Sequence, residues 1–463
     1  MADATTPQAS ALAQPRFWTL RRVAEALETG PSDDTAVERI ATDTRTVAAG
    51  SCFVALRGES FDAHDFLAEA VARGAIALVV SDATRAEGLA VQVYVVADTI
   101  AALGRLARYR RRAWGKPVVG VVGTNGKTST KELLKAALGA RRTVHATTGN
   151  YNNLIGVPLT IFAIPDDADV AVIEMGTNQP GEVAALRAIV EPDVVVVTSI
   201  AEEHLEGLGD LAGVLREEVS ACEGVPLAIT PSAQPEIAAA ARPLARRVIE
   251  TGLDDGELRP RSWRIEPDGA GVLDLEEVTV LVPLRGVHNL RNAMLALAVA
   301  RELGVPIADA ARGIREMPSP PMRVNFEQAG TATIINDAYN SNPGSARVAL
   351  ELLEHAGKGR QRVAVLGTML ELGSEADRLH DDVARAALGM PIELVVGVGG
   401  FADALARVAP GDARVAGGAD PAMAWEAMRS RLLPDAVILL KGSRGGRLER
   451  LVPMITEWAS ASR

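Results

Sequence analysis

Two cysteines in 463 residues leave nothing from which to build a disulfide framework, and both, Cys52 and Cys222, fall inside apolar stretches. That usage suits a reducing compartment, and a cytoplasmic protein is expected. Long apolar runs are missing too. No uncharged stretch approaches the roughly 20 residues that a membrane-spanning helix requires. Positive charge is also scarce, with 48 Lys and Arg against 59 Asp and Glu and a formal net charge of -11. A surface that tracks phosphates needs the opposite balance, so no nucleic-acid partner is expected. The one basic knot, Arg105 to Lys116, reads as a solvated helix end or a linker. No internal repeat or low-complexity block is present. Met1 to Pro15 lacks a basic start followed by an apolar core, and reads as a frayed tail rather than a leader.

What is present is a globular composition, 48% hydrophobic and 23% charged, in a chain long enough for about three domains. Residues 17 to about 110 suggest a small α/β unit, with helical spacing over Leu20–Leu27 and strand-like runs at Ser51–Leu56, Ala75–Val80 and Val91–Val96. From Lys116 to about Pro318 strands and helices alternate, as a parallel sheet with crossover helices demands. Strands are predicted at Val118–Val122, Val170–Glu174, Val194–Thr198 and Pro226–Ile229. Helices are predicted at Thr128–Leu138, Pro180–Val190, Leu211–Cys222 and His288–Leu303, and Trp263–Val282 reads as a hairpin at the sheet's edge. A second alternating set starts at Arg323, with strands at Thr333–Ile335, Arg362–Leu366, Leu394–Val398 and Val437–Leu440. Its helices are predicted at Gly344–His355, Glu375–Leu388 and Gly446–Trp458. The cluster Pro318-Ser-Pro-Pro321 is the best linker candidate. The expected domains are 1–114, 115–318 and 319–463.

One stretch organises the rest. Val118–Val122 is a short β-branched run, Gly123-Thr-Asn-Gly-Lys-Thr-Ser129 is a turn, and helical spacing follows. Strand, glycine loop and helix in that order make a phosphate cradle. Glycines let backbone N–H groups face an anion, and the free amides of the helix start add partial positive charge. Lys127 would reach the terminal phosphates and the Thr128 hydroxyl a Mg²⁺ ion. The strict pattern wants glycine at position 121, where valine stands, so this is a variant of the loop.

Ligands in α/β sheets gather beyond the carboxyl ends of strands. The strand Val170–Glu174 ends in a carboxylate placed to take a hard cation, and the run after Thr198 leads to His204, a second candidate ligand. Each residue alone is more often an ordinary polar group. Their joint occurrence beside such a loop favours function.

Six motifs in one order then resemble the Mur ligase family: Gly-Thr-Asn-Gly-Lys-Thr-Ser129, Glu174-Met-Gly, His204-Leu-Glu-Gly, His288-Asn-Leu-Arg-Asn292, Asp337-Ala-Tyr-Asn-Ser-Asn-Pro343 and Lys441-Gly-Ser-Arg444. The resemblance covers nearly all of residues 40 to 445. It implies an α/β chain of three domains: a small N-terminal UDP-sugar domain, a central P-loop ATPase domain with a mostly parallel sheet, and a C-terminal Rossmann-like domain that presents the amine. The implied activity is ATP- and Mg²⁺-dependent amide formation between UDP-N-acetylmuramoyl-tripeptide and D-alanyl-D-alanine through an acyl phosphate; the letters leave the oligomeric state open, and a monomer is expected. Motif by motif, Gly123 to Ser129 would bind the nucleotide, with Thr128 and Glu174 on its Mg²⁺ and His204 on a second Mg²⁺. Asn289 and Asn292 would meet adenine, Arg323 the γ-phosphate and Asp337 the ribose, with Tyr339 and Asn340 beside the nucleotide. Asp43, Thr44 and Arg45 would lie near the UDP group, as could Arg57 and His64, and Asn150, Asn152 and Asn153 near peptide and sugar. Bland alternatives stand beside these: helix capping for Asn289 and Asn292, a linker residue for Arg323, a plain turn for Tyr339 and Asn340.

Three departures from the family stand out. Glu218 occupies the position where a carbamylated lysine is common and would itself supply the negative charge to the second metal. Gln179 replaces a frequent histidine, and Thr368 a usual aspartate. Rival readings are a ligase adding the third amino acid, a folylpolyglutamate synthase, or a non-catalytic ATP-binding regulator.

Overall fold

The computed structural model describes residues 12–58, 61–266, 269–318 and 324–461. Arg323 and most of the proline cluster lie outside the described residues. Four sheets organise the described residues. The first holds β1 (Arg39–Ala41), β2 (Ser51–Val54), β3 (Ala75–Val80) and β4 (Gln92–Val95), parallel and in sequence order. The second has six strands: β5 (Val118–Val122), β6 (Val144–Ala146), β7 (Val170–Glu174), β8 (Val194–Val197), β9 (Leu227–Pro231) and β10 (Val248–Thr251), in the order β10-β9-β8-β5-β7-β6. Because β5 stands between β8 and β7, the chain leaves it at a switch point, where α/β sheets open a crevice.

The third sheet is antiparallel, β11 (Ser262–Ile265), β12 (Ala270–Leu275) and β13 (Val278–Arg285). This corrects the expected edge hairpin: the edge of the parallel sheet is β10, and these strands form a sheet of their own. The reason is packing. A Cβ at Gly271 would stand 2.2 Å from Leu290, so β12 lies directly on the Val287–Glu302 helix. The fourth sheet contains β14 (Asn325–Ala329), β15 (Ala332–Asp337), β16 (Arg362–Gly367), β17 (Leu394–Val398), β18 (Val415–Gly418) and β19 (Val437–Lys441), in the order β14-β15-β19-β16-β17-β18. Only its edge strand β14 runs antiparallel.

By contact density the chain separates into two compact units, residues 1–121, 142–176 and 181–195 in one and 122–141, 177–180 and 196–463 in the other. The first contains a core around Phe53, Leu67, Leu78 and Val80. The basic knot is a helix end, as expected, on the 16-residue helix Thr99–Trp114, begun by Asp98 and ended by Gly115 at φ 68°; Arg105, Arg108 and Arg112 are exposed on it, but Arg110 and Arg111 are buried rather than solvated. Arg110, its side chain 3% exposed, pairs with Asp166 at 2.6 Å and lies over the Phe17 ring. Arg111 donates to the Val190 and Glu191 carbonyls and to Asp193. A buried guanidinium demands partners, and Arg110 and Arg111 tie down the helix.

The second unit holds the C-terminal core of Val363, Val365, Val396, Ile438, Leu440 and Ile455. β16, β17 and β19 are buried throughout or nearly so, the pattern expected of parallel strands covered on both faces.

Candidate active site

The P-loop helix runs Lys127–Gly139, with Gly126 as its N-cap in the left-handed region at φ 88°. Two glycines here are obligatory. A Cβ on Gly123 (φ +116°) would meet Thr198 Oγ1 at 2.4 Å, and one on Gly126 would meet Asn292 Oδ1 at 2.8 Å. The loop's first amides are already committed: Gly123 N donates to Glu218 Oε2 at 2.7 Å, Thr124 N to the Ser199 carbonyl at 2.7 Å, and Asn125 N to Ser199 Oγ at 3.2 Å. Backbone amides at the start of a helix have no intrahelical acceptor and favour an anion. Lys127 Nζ donates to the carbonyls of Gly123 and Thr124. Thr128 and Ser129 follow it in the first turn, both half-buried.

Glu218 ends up fully enclosed. Burial pushes its carboxyl above the ordinary range, against the pull of Lys127 and of the Gly123 N–H. His204 sits in the left-handed region at φ 54°, its Nδ1 2.6 Å from Glu371 Oε2 and its Nε2 3.9 Å from Glu203 Oε2. Burial alone would lower its pKa, but Glu371 and Glu203 outweigh that and hold it above the usual value.

C-terminal residues converge on the same place. Asn342 exchanges amide hydrogen bonds with Asn125 of the P-loop, at 3.2 and 2.8 Å, while its Oδ1 also caps the Pro343–Ala356 helix through Ser345 N. Asn340 donates to Glu203 at 2.7 Å. Asp337 faces Lys441 across β15 and β19 and pairs with its Nζ at 2.7 Å; the same Nζ donates to the Asn340 carbonyl. Tyr339 carries the Arg444 guanidinium 5.6 Å above its ring centre.

Asn289 and Asn292 are buried within the first two turns of the Val287–Glu302 helix, neither of them at its N-cap. Gly286 caps that helix, which corrects the capping alternative. Asn289 donates to the Arg285 carbonyl and Asn292 to Asn289 Oδ1, leaving Asn292 against Gly126.

In the other unit, Glu174 closes β7, 3% exposed, and accepts from Asn152 Nδ2 at 3.0 Å. Asn150 accepts from Asn152 N through its carbonyl, and Asn153 Oδ1 accepts from Ile155 and Gly156 N, starting the Gly156–Phe162 helix. The amide-rich stretch from Thr147 to Pro158 therefore ends in a helix that spacing alone had not revealed. Asp43 caps the turn Thr44–Thr46 and grips Arg45, which lowers its pKa. His64 is turned inward, its Nδ1 2.6 Å from Asp62 and its Nε2 accepting from Ser81 N, while Arg57 lies 3.9 Å from the same Asp62.

Sequence reasoning gave no role to Asn342, Glu203, Glu371, Lys441 or Arg444. Asn342 had a readable signal, an Asn directly before a proline that opens a helix. The others are defined by what they touch.

The cradle suits a nucleotide triphosphate: a glycine-lined helix start that any Cβ would fill, with a lysine beside it. Mg²⁺ also suits the donors. Among the described residues no three carboxylate, histidine or cysteine side chains form a cage. Mg²⁺ is ordinarily held by one or two carboxylates plus phosphate oxygens and water, and within the cradle's unit Thr128 and Glu218 offer oxygen donors of that kind.

Residues 36–111 match the Mur ligase family catalytic domain, 121–300 the Mur ligase middle domain, and 322–444 the Mur ligase glutamate ligase domain. The chain is 32% identical to the UDP-N-acetylmuramoyl-tripeptide--D-alanyl-D-alanine ligase of Bacillus subtilis, over 92% of this chain and 94% of that one. MurF from Acinetobacter baumannii superposes with a TM-score of 0.88 at 30% identity, covering 96% of this chain and 100% of that chain. MurF ligase from Thermotoga maritima, solved in complex with ADP, gives a TM-score of 0.82 at 26% identity over 92% of this chain and 98% of that one. With relatives of that identity matched from end to end, and three successive family domains in order, the chain belongs to the Mur ligase family.

Proposed function

We propose that this chain is an ATP-dependent amide ligase that joins D-alanyl-D-alanine to UDP-N-acetylmuramoyl-tripeptide, giving the pentapeptide precursor of peptidoglycan. The observation that carries this reading is the near full-length likeness to a curated ligase of that activity. The chemistry explains the parts. A carboxylate is a poor electrophile; phosphorylating the tripeptide's terminal carboxyl with ATP gives an acyl phosphate that the dipeptide's amine displaces.

Lys127 would leave its own loop carbonyls to stabilise charge on the transferred phosphoryl group. Thr128 and Glu174 would hold Mg²⁺ with the nucleotide, and His204 and Glu218 a second Mg²⁺ near the acyl group. Bound Mg²⁺ would neutralise phosphate oxygens. Gly123, Thr124, Asn125, Gly126 and Ser129 would shape the phosphate site, and Asn289 and Asn292 would hold adenine. Asp337 would meet the ribose, Tyr339 and Asn340 would lie beside the nucleotide, and Arg323 would reach the γ-phosphate. Asp43, Thr44 and Arg45 would bind the UDP group, and Asn150, Asn152 and Asn153 the peptide and sugar. The matching domains are 1–114, 115–318 and 319–463. No helix among the described residues is long and apolar enough to cross a membrane, and we propose a cytoplasmic monomer.

The test is phosphate release from ATP with Mg²⁺. Release that needs both the UDP-muramoyl tripeptide and D-alanyl-D-alanine supports the reading. Release that ignores either partner, or full turnover by Lys127→Ala, sinks it.

A further inference from the structure

Gln234 stands at the N-cap of the Pro235–Ala241 helix, a position where Ser, Thr, Asp or Asn ordinarily turns a side-chain oxygen back onto the helix's free amides. Gln234 makes no such bond to its own helix. Its amide is spent elsewhere. Oε1 accepts from Ile200 N at 2.9 Å and Nε2 donates to the Ile200 carbonyl at 2.8 Å, so one side chain takes both polar groups of one backbone residue. Nε2 also lies 3.4 Å from Glu236 Oε1.

Ile200 lies just past the end of β8, the strand between β5 and β9. On the β5 side the chain stays paired beyond that end, because the phosphate loop continues the ladder: Thr198 N donates to the Val122 carbonyl, Thr124 N to the Ser199 carbonyl and Ala201 N to Thr124 Oγ1. On the other side β9 stops at Pro231, and the Gln234 amide, with one donor and one acceptor, stands in for a peptide group. Ile200 is only 6% exposed, so without that amide its N–H and carbonyl would be left unpaired away from water. Just beyond it come Glu203, which accepts from Asn340, and His204.

We infer that Gln234 is a positioning residue: its side chain completes the pairing of residues 198–201 and so fixes the loop that carries Glu203 and His204. The inference rests on the ligase reading above. Gln234 acts through Ile200 and touches no reacting group.

The test separates the two bonds. Gln234→Glu keeps an oxygen for Ile200 N but sets a charged one against the Ile200 carbonyl, and protonating that carboxyl restores a donor. The Glu236 carboxylate beside it raises the introduced group's pKa and brings its titration into the assay range. With ATP, Mg²⁺ and both peptide partners, Gln234→Ala should lose about tenfold in kcat relative to wild type at every pH. Gln234→Glu should match that loss at about pH 8.5 and recover most of it at about pH 6, which a general structural defect would not do. Hydrogen exchange gives a readout besides turnover: the Ile200 amide should exchange about tenfold faster in Gln234→Ala and stay protected in Gln234→Glu. A ratio of Gln234→Glu to wild type that ignores pH, wild-type kcat in Gln234→Ala, or an Ile200 amide no less protected in that variant, overturns the inference and leaves the ligase reading standing. A wild type that forms no amide from the two partners overturns both.

Discussion

Asn125 and Asn342, 217 positions apart in sequence, exchange two side-chain amide hydrogen bonds, and Asn342 at the same time caps the helix that follows it. The pair ties the phosphate loop to the helix start of the C-terminal sheet. Serine is a good N-cap but too short to reach Asn125. Asn342→Ser should therefore leave the melting temperature within a degree or two while lowering kcat about tenfold, and Asn342→Ala should add about 1 kcal/mol of destabilisation. Thermal unfolding beside steady-state kinetics separates the two; equal kinetics for Asn342→Ser and wild type would show the pair to be idle.

Asp337 and Lys441 form a second cross-strand relationship, with side chains 13% and 4% exposed. Removing one partner of a buried ion pair strands the other charge, at a cost of about 3 kcal/mol, whereas neutralising both is far milder. Lys441→Met should be strongly destabilised in urea unfolding. Asp337→Asn combined with Lys441→Met should recover most of that loss yet bind ATP poorly. A double variant no more stable than the single one would refute this account.

His288 supplies a pH dependence. Among the described residues its Nδ1 is buried without a hydrogen-bond partner, and burial pushes its pKa down from 6.5 to about 4, against the attraction of Asp337. The folded state thus keeps the ring neutral, while the unfolded chain takes up a proton once pH falls below 6.5. His288 costs nothing above that pH, and stability falls as pH drops from 6.5 toward 4. The loss should be on the order of 2 kcal/mol. Denaturant midpoints at pH 7.5 and 5, as chosen conditions, should differ less in His288→Gln than in wild type.

Both thiols should be inert in the native protein. Cys52 and Cys222 are fully buried, and desolvation pushes each up to about 12. A thiol reagent at neutral pH should label neither until denaturant is added, and then both. Rapid labelling without denaturant would mean that one of these cores opens readily.

Glu218 should act as a carboxylate that needs no carbon dioxide. It is buried against the Gly123 amide, so Glu218→Gln preserves most of the shape and removes the charge. Turnover should fall about 100-fold, the range seen for lost metal-site partners. Wild-type rate should ignore added bicarbonate; a bicarbonate-dependent wild type, or an unimpaired Glu218→Gln, contradicts the assignment.

Local chemistry was legible where it is self-contained. A β-branched run, glycines in a fixed loop and a lysine specify strand, cradle and helix whatever surrounds them, and β5 and the P-loop helix stand where spacing put them. Leu20–Leu27 and Ala75–Val80 were likewise readable from periodicity to the residue. The sequence by itself thus determined the alternating elements, the family and the acidic and basic residues at strand ends. Tertiary structure alone decided the partners. A guanidinium looks the same in a sequence whether it is solvated or buried, so only packing could show that Arg110 grips Asp166 while Arg444 lies open over Tyr339. An asparagine near a helix start reads as a cap until the backbone reveals Gly286 there and turns Asn292 toward Gly126. The Asn125–Asn342 exchange depends on the meeting of two turns 217 positions apart, a proximity that no local preference encodes and only the folded chain creates.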